Sequence, residues 1–321
     1  MSFSLSTSEL TSTTEAELLG RPDGPGPGGE GKARMTLFTI PKPYLGKAGL
    51  MQRNALHSWL QFGGNLEVML LGDEEGVEST AREFGVHHLP DLKRNRFGTP
   101  LLSDAFEQVH RFATGQTLLY CNSDVILLDD FFSAIEQVRQ LQWPEYLGIG
   151  RRMDLRVEES IDFSDPTQLR RFRKQCQRAG KLSSIVCKEY FLFPRGLFPI
   201  IPDFAVGRGN WDNWMVRNAK QRKIPVISLS PLVQAIHQAH DYSHLQAGSG
   251  SRQRWRCYVS GEEAKRNQQL AGGQHLISGS TSDWLLEGNG VRRQRWPGLN
   301  LDFWLDLPRF AGLLASLAKS R

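Results

Sequence analysis

The sequence predicts an α/β protein with a mixed, mainly parallel sheet flanked by helices, closing in an irregular helical extension. Three observations predict it. From Met35 onward, short apolar runs alternate with segments of helical period, the pattern of strands linked by crossover helices. The 321 residues are 40% apolar and 23% charged, which supports a sizeable folded core and excludes a fibrous or wholly disordered chain. No internal repeat is present, since the shared Gln-Arg-Trp at 253–255 and 294–296 is too short to mark a solenoid.

Residues 1–34 read as a disordered tail, because eight of the eleven residues from Arg21 to Gly31 are Gly or Pro and the preceding twenty are mostly small and polar. Such a segment cannot bury enough apolar surface to offset its ordering entropy. The first strand is then expected at Thr36–Ile40, a helix at Leu50–Leu60, a second strand at Leu66–Leu71, a helix at Val77–Phe84 and a short strand at Val86–Leu89. After the polar loop Asp91–Thr99, Pro100 suits the first turn of a helix reaching about Ala113, with Thr99 as its cap. A fourth strand at Gln116–Cys121 and a helix from Asp129 or Asp130 through Leu141 complete the regular half. Beyond it the pattern expects strands at Tyr146–Gly150 and Tyr190–Phe193, a basic helix at Thr167–Ala179, a short helix at Asp212–Gln221 and a strand at Pro225–Leu229. From about Gly248 strand signals fade, so residues 248–321 read as an appended helical and loop segment with an amphipathic helix at Phe310–Ala318.

Several classes are excluded. No apolar run approaches the roughly 18–20 residues of a membrane span, so no integral membrane segment is expected. The amino-terminal stretch carries Glu9, Glu15 and Glu17 and lacks the basic head and apolar run of a secretory signal. Cys121, Cys176, Cys187 and Cys257 are dispersed, without a zinc or disulfide pattern, and a reducing cytoplasmic setting is expected. The net charge of +5 is modest for a nucleic-acid binder, and no nucleic-acid partner is expected. The run Gln168–Lys181, with Arg170, Arg171, Arg173, Lys174, Arg178 and Lys181 and no acid, reads first as a solvated helix face and second as a rim for an anionic substrate.

The most informative stretch is Leu118-Leu119-Tyr120-Cys121-Asn122-Ser123-Asp124, where an apolar strand meets a polar triplet. In an open α/β sheet ligands sit outside the carboxyl ends of strands, so the triplet points into the expected crevice. Mg²⁺ or Mn²⁺ takes oxygen ligands, commonly one or two carboxylates completed by substrate phosphates, and Asp124 is the candidate ligand. The plainer alternative is that Asp124 caps the next turn.

Arg94-Asn95-Arg96-Phe97-Gly98-Thr99-Pro100-Leu101, a helix, and then Tyr120-Cys121-Asn122-Ser123-Asp124-Val125-Ile126-Leu127 resemble the GT-A-type nucleotide-diphospho-sugar transferases over roughly Met35–Leu245. The resemblance implies one GT-A-like domain over residues 35–247. It also implies an Asp-x-Asp element closing the fourth strand, and here the first position is Asn122, which brings no charge. By the same resemblance the loops after the earlier strands would hold base, ribose and diphosphate, through Lys42, Tyr44, Asp73, Arg94, Asn95, Asn122 and Ser123. Tyr44 would stack on a base and Arg94 would fork onto phosphate, against the plainer readings of a turn carboxylate at Asp73 and solvated charges at Lys42 and Arg94.

Gly207-Arg208-Gly209-Asn210-Trp211-Asp212-Asn213-Trp214 places Asp212 at a helix start, where the dipole keeps a carboxylate ionised. Inverting GT-A enzymes resemble this arrangement, which makes Asp212 the candidate general base, with Trp211 and Trp214 as flat faces for an acceptor sugar. The alternative is a capping Asp212 and two core tryptophans. His237, His240 and His244 fall within eight residues in a chain holding eight histidines, and the resemblance implies that one of them completes the metal shell. The function implied is a metal-dependent, hexosyltransferase-like and inverting glycosyltransferase, taking a nucleotide-diphosphate sugar as donor and an unidentified acceptor. A non-catalytic sugar-nucleotide sensor or scaffold is the alternative, favoured by Asn122. A nucleotidyltransferase fits less well, because Pro41–Lys47 is a poor match to its glycine-rich basic loop.

Overall fold

The computed structural model describes residues 35–183, 187–239, 261–273 and 282–294. Strand β1 (Met35–Thr39) is buried along its whole length between two parallel neighbours, β2 (Leu66–Leu71) and β4 (Thr117–Cys121). β3 (His87–Leu89) lies parallel outside β2, so this part of the sheet reads β4-β1-β2-β3. The chain therefore steps away from β1 on one side and returns on the other. That reversal opens a crevice beyond the carboxyl ends of β1 and β4.

The continuous apolar strands follow from cover on both faces. Leu37 faces a core built with α1 (Gly46–Leu60), α2 (Val77–Phe84) and α4 (Asp129–Gln140), and the next residue, Phe38, faces the opposite core with α3 (Leu102–Phe112). α3 starts later than its sequence suggests. Pro100 bridges Arg94, Leu101 bridges Ala205, and the Leu102 N–H donates to the Phe204 carbonyl at 2.9 Å, so a backbone partner from a distant loop replaces the expected Thr99 cap.

β5 (Val125–Ile126) follows the polar triplet, and β6 (Leu147–Leu155) is longer than the expected Tyr146–Gly150 because a bulge carries it onward. Residues 147–149 pair with parallel β9 (Val226–Ser228), whereas Arg152–Leu155 pair with parallel β10 (Ala235–Gln238), which also pairs with β5. Gly150 stands at the register shift, and a Cβ there would lie 1.8 Å from the Tyr190 hydroxyl, so only glycine fits. A short β7 (Lys181–Leu182) borders β6, after α5 (Pro166–Ala179), whose Phe172 and Cys176 pack on Ile126, Leu155 and Ile236. The small sheet of β5, β6, β7 and β10 thus stands at the carboxyl end of the large one.

β8 (Lys188–Pro194) inserts antiparallel between β4 and β6, which makes the sheet mixed. α6 (Trp211–Gln221) joins the core of α3 through Met215, Val216 and Ala219. The C-terminal region supplies α7 (Glu262–Leu270) and a hairpin of β11 (Trp284–Glu287) and β12 (Gly290–Arg293), and β11 pairs parallel with β9. The expectation of helices and loops alone after residue 248 is corrected here: these four-residue edge strands are mostly part-buried or exposed, so they carry little apolar signal. The tail 1–34 and the expected helix Phe310–Ala318 lie outside the described residues.

Candidate functional site

Asp124 leaves the carboxyl end of β4 and is held by its backbone. Its carbonyl accepts from the Gln238 side-chain amide at 3.0 Å, and that same amide nitrogen reaches the Met51 carbonyl of α1 at 2.7 Å. Gln238 is wholly buried on β10, with its Oε1 accepting from Asn54 at 3.1 Å. β10 also carries His237, and so the two strands bring the Asp124 carboxylate and the His237 Nε2 to 3.8 Å, at side-chain exposures of 13% and 6%. The other ring nitrogen, Nδ1, meets Asp154 of β6 at 2.8 Å. Ser183 donates to the far oxygen of Asp154 at 2.5 Å, which fixes the carboxylate that orients the imidazole.

Arg152, two residues before Asp154, contacts it at 2.9 Å and pairs with the buried Glu189 at the start of β8. Glu189 also accepts from the Asn122 amide, whose Oδ1 accepts from the Tyr120 hydroxyl at 3.1 Å. Asp124, Asp154 and Glu189 thus gather about the Arg152 guanidinium and the His237 ring in one cluster. Burial works to lower the His237 pKa, but the adjoining Asp124 charge and the Asp154 hydrogen bond prevail and raise it. Beside the cluster, Lys188 is buried and donates to Asn213 at 3.1 Å, with Asp212 as its neighbouring charge. Burial raises the Asp212 carboxyl, offset in part by Lys188, and burial lowers Lys188.

The gathered carboxylates suit a divalent cation. Asp124 and His237 face each other at a spacing two ligands of one ion can adopt, and Asp154 holds the histidine as a carboxylate commonly holds a metal-bound imidazole. Among the described residues no three His, Cys, Asp or Glu side chains form a metal-holding group. His240 and His244 lie outside the described residues.

The loop after β1 is tied to this centre. Gln52 of α1 accepts from the Lys42 N–H at 2.7 Å and from the Ser123 hydroxyl at 2.7 Å, while its amide donates to the Lys42 carbonyl at 2.9 Å. One glutamine thereby clasps both walls of the crevice. Lys42 has no carboxylate partner among the described residues, whereas Ser123 is buried and spends its hydroxyl on Gln52.

Other expected site residues have partners within the protein. Arg94 pairs with Asp73 and, at 2.9 Å, with Glu74, and also donates to the Gly98 carbonyl at 2.7 Å, so neither Arg94 nor Asp73 is an unengaged nucleotide ligand. Asn95 is a loop organiser: its Oδ1 accepts from the N–H groups of Phe97 and Thr99, and its amide donates to Glu263 at 2.7 Å. Tyr44 packs part-buried against the α1–α2 core, and Gly49 lets α1 approach its backbone, where a Cβ would lie 2.6 Å from the Tyr44 carbonyl. Trp211 is core, edge-on to Tyr120 at 5.1 Å and 5.2 Å from Phe191, and the part-buried Trp214 packs on Phe204 at 5.5 Å. Asp212 lies within the first turn of α6 but does not cap it, since Asn210 occupies the cap position at φ +81°.

Arg152, Asp154, Lys188, Glu189, Gln52, Gln238, Glu263 and Asn267 escaped the sequence reading. A usable signal existed for some. Arg151-Arg152-Met153-Asp154 and Lys188-Glu189 place charges inside or directly against apolar strand runs, where a charge is retained only with a partner.

The chain is similar to nucleotide-diphospho-sugar transferases of known structure. A mannosyltransferase from Pyrobaculum calidifontis, solved with GDP-Man and Mn²⁺, is 16% identical with a TM-score of 0.43; the match covers 75% of this chain and 66% of that one, just under two thirds of its length. A putative nucleotide-diphospho-sugar transferase from Desulfovibrio desulfuricans is 13% identical with a TM-score of 0.39, covering 74% and 96% of the two chains. Glucosyl-3-phosphoglycerate synthase from Mycobacterium tuberculosis, solved with Mg²⁺ and uridine-diphosphate, is 10% identical with a TM-score of 0.44, covering 83% and 88%. At these values the likeness carries no argument about any residue or reaction. No protein-family model matches the chain, and no curated protein sequence matches it.

Proposed function

We propose that the protein is a metal-dependent glycosyltransferase that moves a sugar from a nucleotide diphosphate to an acceptor hydroxyl. The observation that carries this reading is the Asp124–His237 pair, 3.8 Å apart beyond the carboxyl end of β4, with the Asp154 carboxylate on the other ring nitrogen. Mn²⁺ or Mg²⁺, when bound, neutralises the diphosphate leaving group. Asp124 and His237 would hold the ion, Asp154 would keep the imidazole turned toward it, and Lys42 would meet a phosphate across the crevice. Asp212 would take the acceptor proton. Its burial raises the carboxyl pKa toward the operating range, which favours a general base, and the Lys188 ammonium keeps the ionised form accessible.

Thermal stability measured against a nucleoside-diphosphate panel, with and without Mn²⁺, tests the reading. One member should stabilise the protein by about 2.7 kcal/mol at a free concentration 100 times its Kd, and only when Mn²⁺ is present. The shift should vanish in Asp124→Asn. A flat response across the panel overturns it. Asn122, uncharged and committed to Glu189, favours a second reading as a sugar-nucleotide sensor. That reading predicts the same binding but no donor turnover, and indifference to Asp212→Asn.

A further inference from the structure

α7 touches two loops that the rest of the sequence keeps far apart. The Glu263 carboxylate is 11% exposed, and each of its oxygens serves a different loop: Oε1 accepts from Asn95 at 2.7 Å, and Oε2 accepts from Arg208 at 2.6 Å and 3.0 Å. The first loop, residues 93–99, runs from the carboxyl end of β3 into α3 and also holds Arg94 against Asp73. The second, residues 205–210, leads directly into α6 and Asp212.

One turn further along α7, Asn267 is wholly buried and reads the backbone of the second loop. Its Oδ1 accepts from the Ala205 N–H at 2.9 Å, and its amide donates to the carbonyls of Ala205 at 3.0 Å, Gly209 at 3.3 Å and Arg208 at 3.4 Å. A buried amide engaged at both ends specifies one loop geometry, because any slip leaves polar groups unpaired. Asn210, at φ +81°, closes the same loop in a conformation that a non-glycine residue holds only when its surroundings determine it.

We infer that Glu263 is a positioning residue that braces the donor-side loop 93–99 to the acceptor-side loop 205–210, so that occupancy on one side orders the other. This deepens the proposed function and rests on it, adding that the nucleotide donor lies against loop 93–99 and the acceptor against loop 205–210, but the brace is a property of the chain itself. A glutamine at 263 has a single acceptor oxygen, so it serves Asn95 or Arg208 but not both at full strength, and it removes the charge Arg208 meets. Asn267 still holds the second loop in that variant, which keeps the fold intact.

Amide hydrogen exchange on the full chain tests this, with UDP and GDP plus Mn²⁺ as the probes and Glu263→Gln as the variant. In the ligand-free protein the substitution should speed exchange about tenfold in both 93–99 and 205–210 and leave β1 and β4 unchanged. Adding the nucleotide that binds should slow exchange in both loops of the wild type but only in 93–99 of the variant. Unchanged exchange in the ligand-free variant overturns the brace, as does equal protection of 205–210 by nucleotide in both proteins. If no nucleotide protects the wild type, the proposed function fails while the ligand-free comparison still decides the brace. An acceleration spread evenly over the chain also counts against it, since that is the mark of general destabilisation.

Discussion

Two groups of charges stand at the same end of the sheet and are built differently. The outer group, Arg94 with Asp73 and Glu74 and Arg96 with Glu262, sits in water: Asp73 is 66% exposed and Arg96 71%. The inner group, Arg152 with Glu189 and Asp154 beside Asp124 and His237, is enclosed, with Glu189 at 7% and Arg152 at 15%. The outer charges meet near the surface, where solvent screens each pair. The inner charges are screened far less, and their enclosure makes each depend on the others. The enclosed group is where an ion and a diphosphate would be held.

The comparison breaks most readily at Arg152. Arg152→Met should cost about 3–5 kcal/mol in urea unfolding, because it strands the buried Glu189 and removes a partner of the part-buried Asp154. A loss below about 1 kcal/mol would place the inner group with the outer one. Next in size, Asp154→Asn should weaken Mn²⁺ affinity about 10–100-fold by calorimetry with the nucleotide present, with the fold retained, since it loosens the imidazole rather than removing a ligand. Unaltered affinity would detach Asp154 from the cation site.

Asp104 of α3 stands between the two groups, its side chain 6% exposed against a Lys93 that is 70% exposed. Burial works to raise its carboxyl, but the Lys93 N–H and ammonium and the Gln108 amide outweigh it and hold the pKa down. A folded value below the unfolded one gives stability that is present above the unfolded pKa of about 3.9 and is lost as pH falls through the folded value. The acid limb of the stability curve should therefore be shallower in Asp104→Asn, and identical limbs would show that this carboxyl contributes nothing. Smallest of all, Arg96→Ala should change stability by no more than about 1 kcal/mol, an effect that 1 M salt removes.

The same contrast governs what was legible. Val77–Phe84 matches its predicted bounds, and the strands at 66–71 and 117–121 match within a residue, because runs buried on both faces advertise themselves by continuous hydrophobicity. Asp124 stood out as a carboxylate ending such a run, and His237 as one of a histidine cluster. Asp154 and Glu189 did not, because a charge next to an apolar strand looks solvated until its partner is known. Trp211 and Trp214 were legible only as flat faces beside a helix start, and the fold packs them on Tyr120 and Phe204. β11 escaped because a strand of four residues, only one of them fully buried, leaves no periodic trace.

From its sequence alone this protein is an α/β chain with a carboxylate at the end of its fourth strand, since local periodicity and the reversal of apolar runs are properties of neighbouring residues. Tertiary structure alone decided that His237 of β10 meets Asp124 of β4, that Arg152 stands between Glu189 and Asp154, and that Glu263 joins two loops about 110 residues apart. The physical reason is that a buried charge is tolerable only beside its complement, and complements are brought together by strand order, which no local pattern records.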